Sequence, residues 1–71
     1  MSIYVITGGT TGIGAATREK LLAQGHEVFN IDFKDGDFQA DLTSKTDRTR
    51  AIEEVFLRYP DGIDVLLCNA G

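Results

Sequence analysis

The sequence has few of the residues that stabilise small proteins through covalent bonds or metal ions. Its 71 residues include one cysteine, Cys68, and one histidine, His26. A single thiol excludes an intramolecular disulfide, and these two side chains fall short of the usual zinc ligand set. A chain of this length buries only ~60% of its unfolded surface. Its stability must therefore come from an apolar core, a bound ligand or a partner chain.

Basic residues and long apolar runs are scarce as well. Lys and Arg total 7 against 11 Asp and Glu, a formal net charge of −4, which argues against nucleic acid or an anionic membrane as partner. No apolar run approaches the ~20 residues that span a bilayer. No basic start followed by an apolar core marks a secretory signal. Together with the lone thiol, these features predict a cytoplasmic location.

Short apolar runs alternate with helix-forming segments along the chain. The runs at 3–6, 28–31 and 63–68 predict strands buried in a parallel sheet, and 38–40 predicts a very short strand. With a helix after the first strand and another before the last, the pattern contains two βαβ crossovers in series. It predicts an α/β domain with helices packed against a parallel sheet.

The ends and faces of both helices also have sequence signals. The first helix is predicted to begin near Gly12 or Ile13 and to end at Gly25. The second is predicted to begin at Thr43 or Ser44, with Ser44 and Asp47 in a capping box. Apolar spacing predicts the side chains that face the sheet: Ile13, Ala16 or Thr17, and Leu21 in the first helix, and Ile52, Val55, Phe56 and Tyr59 in the second.

A glycine-rich turn, Gly8-x-x-x-Gly12-x-Gly14, joins the first strand to the first helix. Without Cβ atoms in the way, a pyrophosphate can approach the backbone amides and the positive end of the helix. Asp32 ends the second strand, where an acidic residue accepts hydrogen bonds from an adenosine ribose. A P-loop is excluded because the lysine is missing. The alternative is a tight turn that binds no ligand.

Residues 7–14 resemble the T-G-x-x-x-G-x-G signature of the short-chain dehydrogenases/reductases. Asp32, Asp41-Leu42 and 69–71 (Asn-Ala-Gly) match three further family motifs in order, and the likeness is strongest to the bacterial 3α-hydroxysteroid dehydrogenase/carbonyl reductase type. The resemblance implies the N-terminal half of a Rossmann-type doubly wound parallel sheet, with about four strands in the order 3-2-1-4 and two helices. Residues 1–71 are then expected to form a partial NAD(P)-binding domain, truncated after the fourth strand.

The resemblance also implies a role for each matching residue. Backbone amides of residues 10–13 are expected to face the pyrophosphate, and Asp32 to bind the adenosine ribose. The Asp41 carboxylate and the Leu42 backbone are expected at the adenine edge. Ala70 and Gly71 are expected to pass beside the adenosine ribose, and Asn69 to brace the sheet. The candidate cofactor-binding residues are Gly8, Thr10, Thr11, Gly12, Ile13, Gly14, Asp32, Asp41, Leu42, Asn69, Ala70 and Gly71.

Two of these assignments carry further interpretations. The Asp32 carboxylate repels an added 2′-phosphate, which predicts NAD rather than NADP as the dinucleotide. Lys34 is the nearby cation that weakens this preference. Asp41 has an alternative role, since an aspartate at this point can simply start the turn before a capped helix.

The family's implied chemistry is hydride transfer between nicotinamide and an alcohol or carbonyl. It uses a serine and a tyrosine followed four residues later by a lysine. Here Gly8 follows Tyr4 at that spacing, and Ile63 follows Tyr59. We therefore expect the adenosine- and pyrophosphate-binding half of an NAD-dependent oxidoreductase, inactive alone and with no substrate indicated.

Three alternatives stay open: one half of a split enzyme, a non-catalytic remnant, and an oligomerising fragment. The last follows from the fourth strand, which is apolar and is expected to be unpaired on one side. Such an edge invites pairing with another chain. The sequence therefore predicts a homo-oligomer formed through this strand or through the uncovered sheet face.

Overall fold

The computed structural model describes residues 1–8 and 12–68. Within those ranges the strands are β1 (Ile3–Thr7), β2 (Glu27–Asp32), β3 (Phe38–Gln39) and β4 (Val65–Cys68). The helices are α1 (Gly12–Ala23), which follows β1, and α2 (Lys45–Arg58), which joins β3 to β4. The predicted order of elements is confirmed. Neither of these helices is long and apolar enough to cross a membrane, and the cytoplasmic location stays a prediction.

The described strands form one parallel sheet in the order β3-β2-β1-β4. β1 pairs with β2 from Ile3 opposite Glu27 and with β4 from Tyr4 opposite Val65. The chain thus adds β2 and β3 on one side of β1 and then crosses to the other side. Right-handed crossovers in opposite directions place α1 and α2 on opposite faces of the sheet. The predicted doubly wound α/β arrangement and its strand order are confirmed.

The core lies between the sheet and α2. Alternate residues of β1 and β2 point to this side, and Val5 and Phe29 are only 2% and 1% exposed. The Phe29 ring meets Tyr59 edge-to-face, with 6.2 Å between the ring centroids. The buried cluster consists of Val5, Phe29, Ile31, Ala40, Ala51 and Tyr59. Because full burial of a large apolar side chain contributes ~1.5–3 kcal/mol, this cluster anchors α2 to the sheet.

Helix α1 buries only part of its predicted face, because Thr17 and Leu21 are half-buried but Ile13 is exposed. Ile13 is 81% exposed, and Gly14 is the buried residue of this helix. Thr17 and Leu21, three and seven residues after Gly14, are half-buried. Successive residues are turned by ~100° around a helix, so Ile13 lies at the border of the face that contains Gly14, Thr17 and Leu21. A glycine without a side chain lets the helix lie close to the strands, which decides the orientation.

Both predicted helix ends are found. Gly25 has φ +85° and ends α1; its amide donates to the Leu22 carbonyl at 3.0 Å, and the His26 amide donates to the Leu21 carbonyl at 3.1 Å. This pair of bonds is a Schellman motif. Ser44, rather than Thr43, caps α2, with its side chain accepting from the Asp47 amide at 3.3 Å.

The apolar stripe of α2 is only partly buried. Tyr59 is 9% exposed and Val55 packs against the core, but Ile52 and Phe56 are 57% and 66% exposed. The core residue Ala51 instead brings the helix backbone close to the sheet. The prediction that all four residues of the stripe face inward is therefore wrong for Ile52 and Phe56, which lie beyond the contact with β1 and β2.

Candidate functional site

The carboxyl ends of the four parallel strands meet at one edge of the sheet. The chain leaves β1 towards β2 and later returns on the other side of β1 to form β4. Ligands of open α/β sheets bind in the crevice outside the strand ends, at the point where the strand order reverses. Gly8, Asp32 and Asp41 all follow or end strands at this edge.

A cavity of about 400 Å³ opens beside the ends of β2 and β3. This volume lies within the range of small-molecule pockets, ~300–1,000 Å³. Three residues predicted to bind the cofactor, Asp32, Asp41 and Leu42, are part of its lining. The complete described lining is Ile31, Asp32, Phe33, Ala40, Asp41, Leu42 and Thr43. Tertiary structure therefore brings Asp32, the last residue of β2, and Asp41, which follows β3, to the same cavity.

Asp32 lies half-buried at the end of β2, where backbone contacts hold it in place. Its carbonyl oxygen accepts from the Ala40 amide at 2.8 Å, which ties β2 to the segment after β3. Its carboxylate oxygen Oδ1 accepts from the Phe33 amide at 2.6 Å. These contacts hold Asp32 at the rim of the cavity.

Asp41 forms the other acidic part of the lining. Its Oδ1 accepts from the Thr43 hydroxyl at 2.6 Å and from the Thr43 amide at 3.0 Å. The hydroxyl bond first, and then the amide bond, lower the pKa of Asp41 by stabilising the ionised carboxylate. Asp41 thus starts the turn before α2, as the alternative interpretation held. It also lines the cavity, so the two roles are compatible.

Two residues that the sequence analysis did not assign to the site support its wall. Asp47 Oδ2 accepts from the Asp41 amide at 2.8 Å, so the capping box is half formed and its acidic member faces the loop instead of Ser44. Arg48 Nη1 donates to the Leu42 carbonyl at 2.9 Å. The only sequence signal for these contacts was the acidic residue in the first turn of α2.

Gly8 and the start of α1 lie beside the same sheet edge. Gly8 has φ +72°, and its amide donates to the Ile31 carbonyl at 2.9 Å. Gly12, with φ +60°, begins α1, and Gly14 packs on the sheet. The first turn of α1 contains no acidic side chain, so nothing in it opposes the positive end of the helix dipole.

The remaining predicted residues are only partly placed. Ile13 stands exposed in the first turn of α1. Thr10, Thr11, Asn69, Ala70 and Gly71 lie outside the described residues. The structure therefore brings Asp32, Asp41 and Leu42 to one cavity and Gly8, Gly12, Ile13 and Gly14 to the adjoining strand-to-helix junction. The predicted cofactor-binding role of the five residues outside the described ranges stays a prediction.

A second cavity, of about 270 Å³, lies between α2 and β4. Its lining is apolar except at Thr7, Arg48 and Cys68, and it shares Ile31 and Leu42 with the first cavity. Within residues 1–8 and 12–68, no group of His, Cys, Asp and Glu is placed to hold a metal ion. The polar candidate site is therefore the cavity that contains Asp32 and Asp41.

The sequence is similar to those of known dehydrogenases. No family model matches the sequence. The chain is 46% identical, over all of its 71 residues, to 28% of the 3-alpha-hydroxysteroid dehydrogenase/carbonyl reductase of Comamonas testosteroni. It is 34% identical, over 97% of its length, to 31% of the short chain dehydrogenase prhI of Penicillium brasilianum.

The chain is also similar in structure to a solved dehydrogenase. The 3-alpha-hydroxysteroid dehydrogenase of Pseudomonas sp. B-0831, crystallised in complex with NADH, superposes with a TM-score of 0.94 at 41% identity. The match covers 99% of this chain and 31% of that protein. The chain thus spans less than a third of the length of each of these relatives.

Proposed function

Because this chain belongs to the short-chain dehydrogenase/reductase family, we propose that it forms the adenosine- and pyrophosphate-binding part of an NAD-dependent oxidoreductase. The observation that carries the proposal is the cavity shared by Asp32, Asp41 and Leu42. An NADH complex of a relative with the same fold supports the choice of cofactor. NAD, when bound, supplies the hydride acceptor, and its reduced form supplies the hydride donor.

The Asp32 carboxylate is the group that binds the adenosine ribose. A carboxylate accepts hydrogen bonds from both ribose hydroxyls but repels the 2′-phosphate of NADP. Its fixed position at the end of β2 supports this role. The preference for NAD over NADP follows from the same charge.

The adenine edge is bound by the wall opposite Asp32. The Asp41 carboxylate, whose pKa the two bonds from Thr43 lower, acts as a hydrogen-bond acceptor there. Leu42 contributes its backbone and an apolar surface to the same wall. An acceptor beside an apolar surface suits the amino-bearing edge of adenine.

The pyrophosphate binds at the junction of β1 and α1. Gly8 and Gly12 both have positive φ, and the positive end of α1 is suited to a phosphate group. We assign Gly8, Ile13, Gly14 and the neighbouring Thr10 and Thr11 to this part of the site. Asn69, Ala70 and Gly71 are assigned beside the ribose and at the end of the sheet.

Hydride transfer requires groups that these 71 residues do not contain. Neither Tyr4 nor Tyr59 is followed by a lysine at the fourth position, so neither has the lysine partner that the family's proton transfer requires. The pKa of Tyr59 is instead raised to about 12, by burial and by Glu27. We therefore propose that this chain binds the cofactor without catalysing oxidation or reduction by itself.

Isothermal titration of the chain with ADP-ribose tests the binding function directly. We expect saturable binding, weakened when Asp32→Ala removes the ribose acceptor. Asp61→Ala, which changes an exposed acid at the far end of α2, serves as the charge-matched control and is expected to bind as well as the unchanged chain. The absence of heat with ADP-ribose at millimolar concentration would refute the proposal.

A second copy of the chain is the protein partner that we propose. β4 pairs with β1 on one side, and no other described strand pairs with its free side. Leu66 on this strand is 57% exposed and adjoins Ile52 and Phe56 of α2. Edge strands with apolar side chains associate readily, and identical strands are self-complementary in their backbone groups.

A further inference from the structure

The loop between β3 and α2 is held by side chains that do not line the cavity themselves. The Asp41 amide donates to Asp47 Oδ2 at 2.8 Å, and the Leu42 carbonyl accepts from Arg48 Nη1 at 2.9 Å. The described lining of the cavity includes Asp41 and Leu42 but neither Asp47 nor Arg48. The first turn of α2 therefore supports the wall of the site from behind.

Asp47 is itself held on several sides. Its amide donates to the Ser44 hydroxyl at 3.3 Å, within the N-terminal turn of α2. Its Oδ1 pairs with Arg50 Nη1 at 3.2 Å while Oδ2 accepts from Asp41. The Asp47 side chain is 27% exposed, against 55% for Arg50. Because both of its oxygens have hydrogen-bond partners, the Asp47 carboxylate is held in one orientation towards the loop between β3 and α2.

The contact with Asp47 restricts Asp41 at its backbone. The Asp41 amide is held by Asp47, and the Asp41 carbonyl accepts from the Ser44 amide at 2.9 Å. Its carboxylate is oriented by two bonds from Thr43. The backbone of Asp41 is therefore held at its amide and at its carbonyl, and its side chain is held by Thr43. These contacts restrict the position of the Asp41 carboxylate.

Resting on the proposed function, we infer that Asp47 is a positioning residue that sets the preference for adenine by holding Asp41 in place. Asp47 need not touch the ligand to do so. Hydrogen bonds to a charged group depend strongly on distance and angle. Loss of the Asp47 contact therefore lowers the contribution of Asp41 without removing its carboxylate.

The base itself provides a readout of this position. Adenine carries an amino group that donates to a carboxylate, whereas hypoxanthine carries a carbonyl oxygen at that place, which a carboxylate repels. The ratio of dissociation constants for ADP-ribose and its hypoxanthine counterpart thus reports where the Asp41 carboxylate lies. General destabilisation of the fold weakens both ligands alike and leaves the ratio unchanged.

Titration calorimetry of the full 71-residue chain with both ligands tests the inference. We expect Asp47→Ala to reduce the preference for the adenine ligand by about fivefold, the size of one ordinary intramolecular hydrogen bond. Asp47→Asn keeps an acceptor for the Asp41 amide and is expected to stay within about twofold of the unchanged chain. Asp47→Leu, which has a side chain of similar size without an acceptor, is expected to lose the same fivefold and covers the case in which the Ala variant does not fold.

Ser44→Ala is the matched control. It removes the cap of the same helix turn, at a cost of ~1 kcal/mol, but leaves the contact between Asp47 and Asp41. We expect lower stability with an unchanged preference for adenine. An unchanged preference in Asp47→Ala, or an equal loss in Ser44→Ala, would overturn the positioning role.

The outcome for the unchanged chain separates this inference from the proposed function. If it binds neither ligand, the proposed function itself fails, and the positioning role fails with it. If it binds both ligands equally well, nucleotide binding stands, but Asp41 does not select adenine and the inference is refuted.

Discussion

The Gly8 amide donates to the Ile31 carbonyl at 2.9 Å, one residue before Asp32. This bond joins the start of the glycine turn to the end of β2. Gly8 adopts φ +72° to make the turn, a conformation that costs an ordinary residue ~1–2 kcal/mol. This hydrogen bond thus links Gly8, in the proposed pyrophosphate site, to the strand residue that precedes Asp32, the proposed ribose acceptor.

The first prediction concerns this connection. Gly8→Ala is expected to lower the free energy of unfolding by ~1–2 kcal/mol and to weaken ADP-ribose binding as well. Gly25→Ala, at φ +85° on the far side of α1, introduces comparable strain away from the site. It should reduce stability alone. Urea unfolding and calorimetry of both variants measure the two effects, and equal loss of binding in both would contradict the prediction.

The second prediction concerns the choice of dinucleotide. Asp32→Ala removes the charge that repels a 2′-phosphate, so the ratio of NADH to NADPH affinity is expected to fall by about tenfold. Lys34→Ala removes the nearby exposed cation and is expected to raise the ratio instead. Fluorescence titration with both reduced dinucleotides measures it. A ratio that moves in the same direction in both variants would refute the assignment of Asp32.

The third prediction is a loss of stability in alkali. Burial, and then the contact with Glu27, raise the pKa of Tyr59 from 10.0 to about 12. The folded state therefore favours the neutral phenol, and this contribution is fully present below pH 10 and is lost as the pH rises through 12. Urea unfolding as a function of pH should show the decline, and Tyr59→Phe should abolish this part of it.

Absorbance provides an independent check, because the chain has two tyrosines, Tyr4 and Tyr59, and no tryptophan. We expect the ionisation of Tyr59 above the ordinary tyrosine pKa of 10.0, at a pH of about 12. Glu27→Gln removes the nearby negative charge and should move the Tyr59 transition to lower pH. An unchanged transition in Glu27→Gln would exclude the carboxylate as a cause of the shift.

The fourth prediction concerns self-association through β4. Leu66→Lys places a charge on the apolar edge and is expected to shift the chain towards monomer. Leu57→Lys is the control, since Leu57 is 79% exposed on α2 but does not line the cleft beside β4. Sedimentation at high micromolar concentration distinguishes the two. A monodisperse monomer of the unchanged chain would refute the homo-oligomer.

Local patterns in the sequence were enough to predict the elements and their order. The β-branched runs, the glycine at the end of α1 and the Ser44 cap act over a few residues, and the structure contains each of them. The strand order followed from the resemblance to a family rather than from the residues alone. The same resemblance predicted that Asp32, Asp41 and Leu42 share a site, and these three residues do line one cavity.

Tertiary packing decided what local patterns could not. Periodicity placed Ile13 in the core, but close packing of Gly14 against the sheet turned that side chain to solvent. The Ser44 and Asp47 spacing predicted a mutual cap, yet the Asp47 carboxylate instead meets the Asp41 amide across the loop. The orientation of a helix, and hydrogen bonds between residues that are distant in sequence, depend on which surfaces meet in three dimensions. The spacing of residues within a short segment does not contain that information.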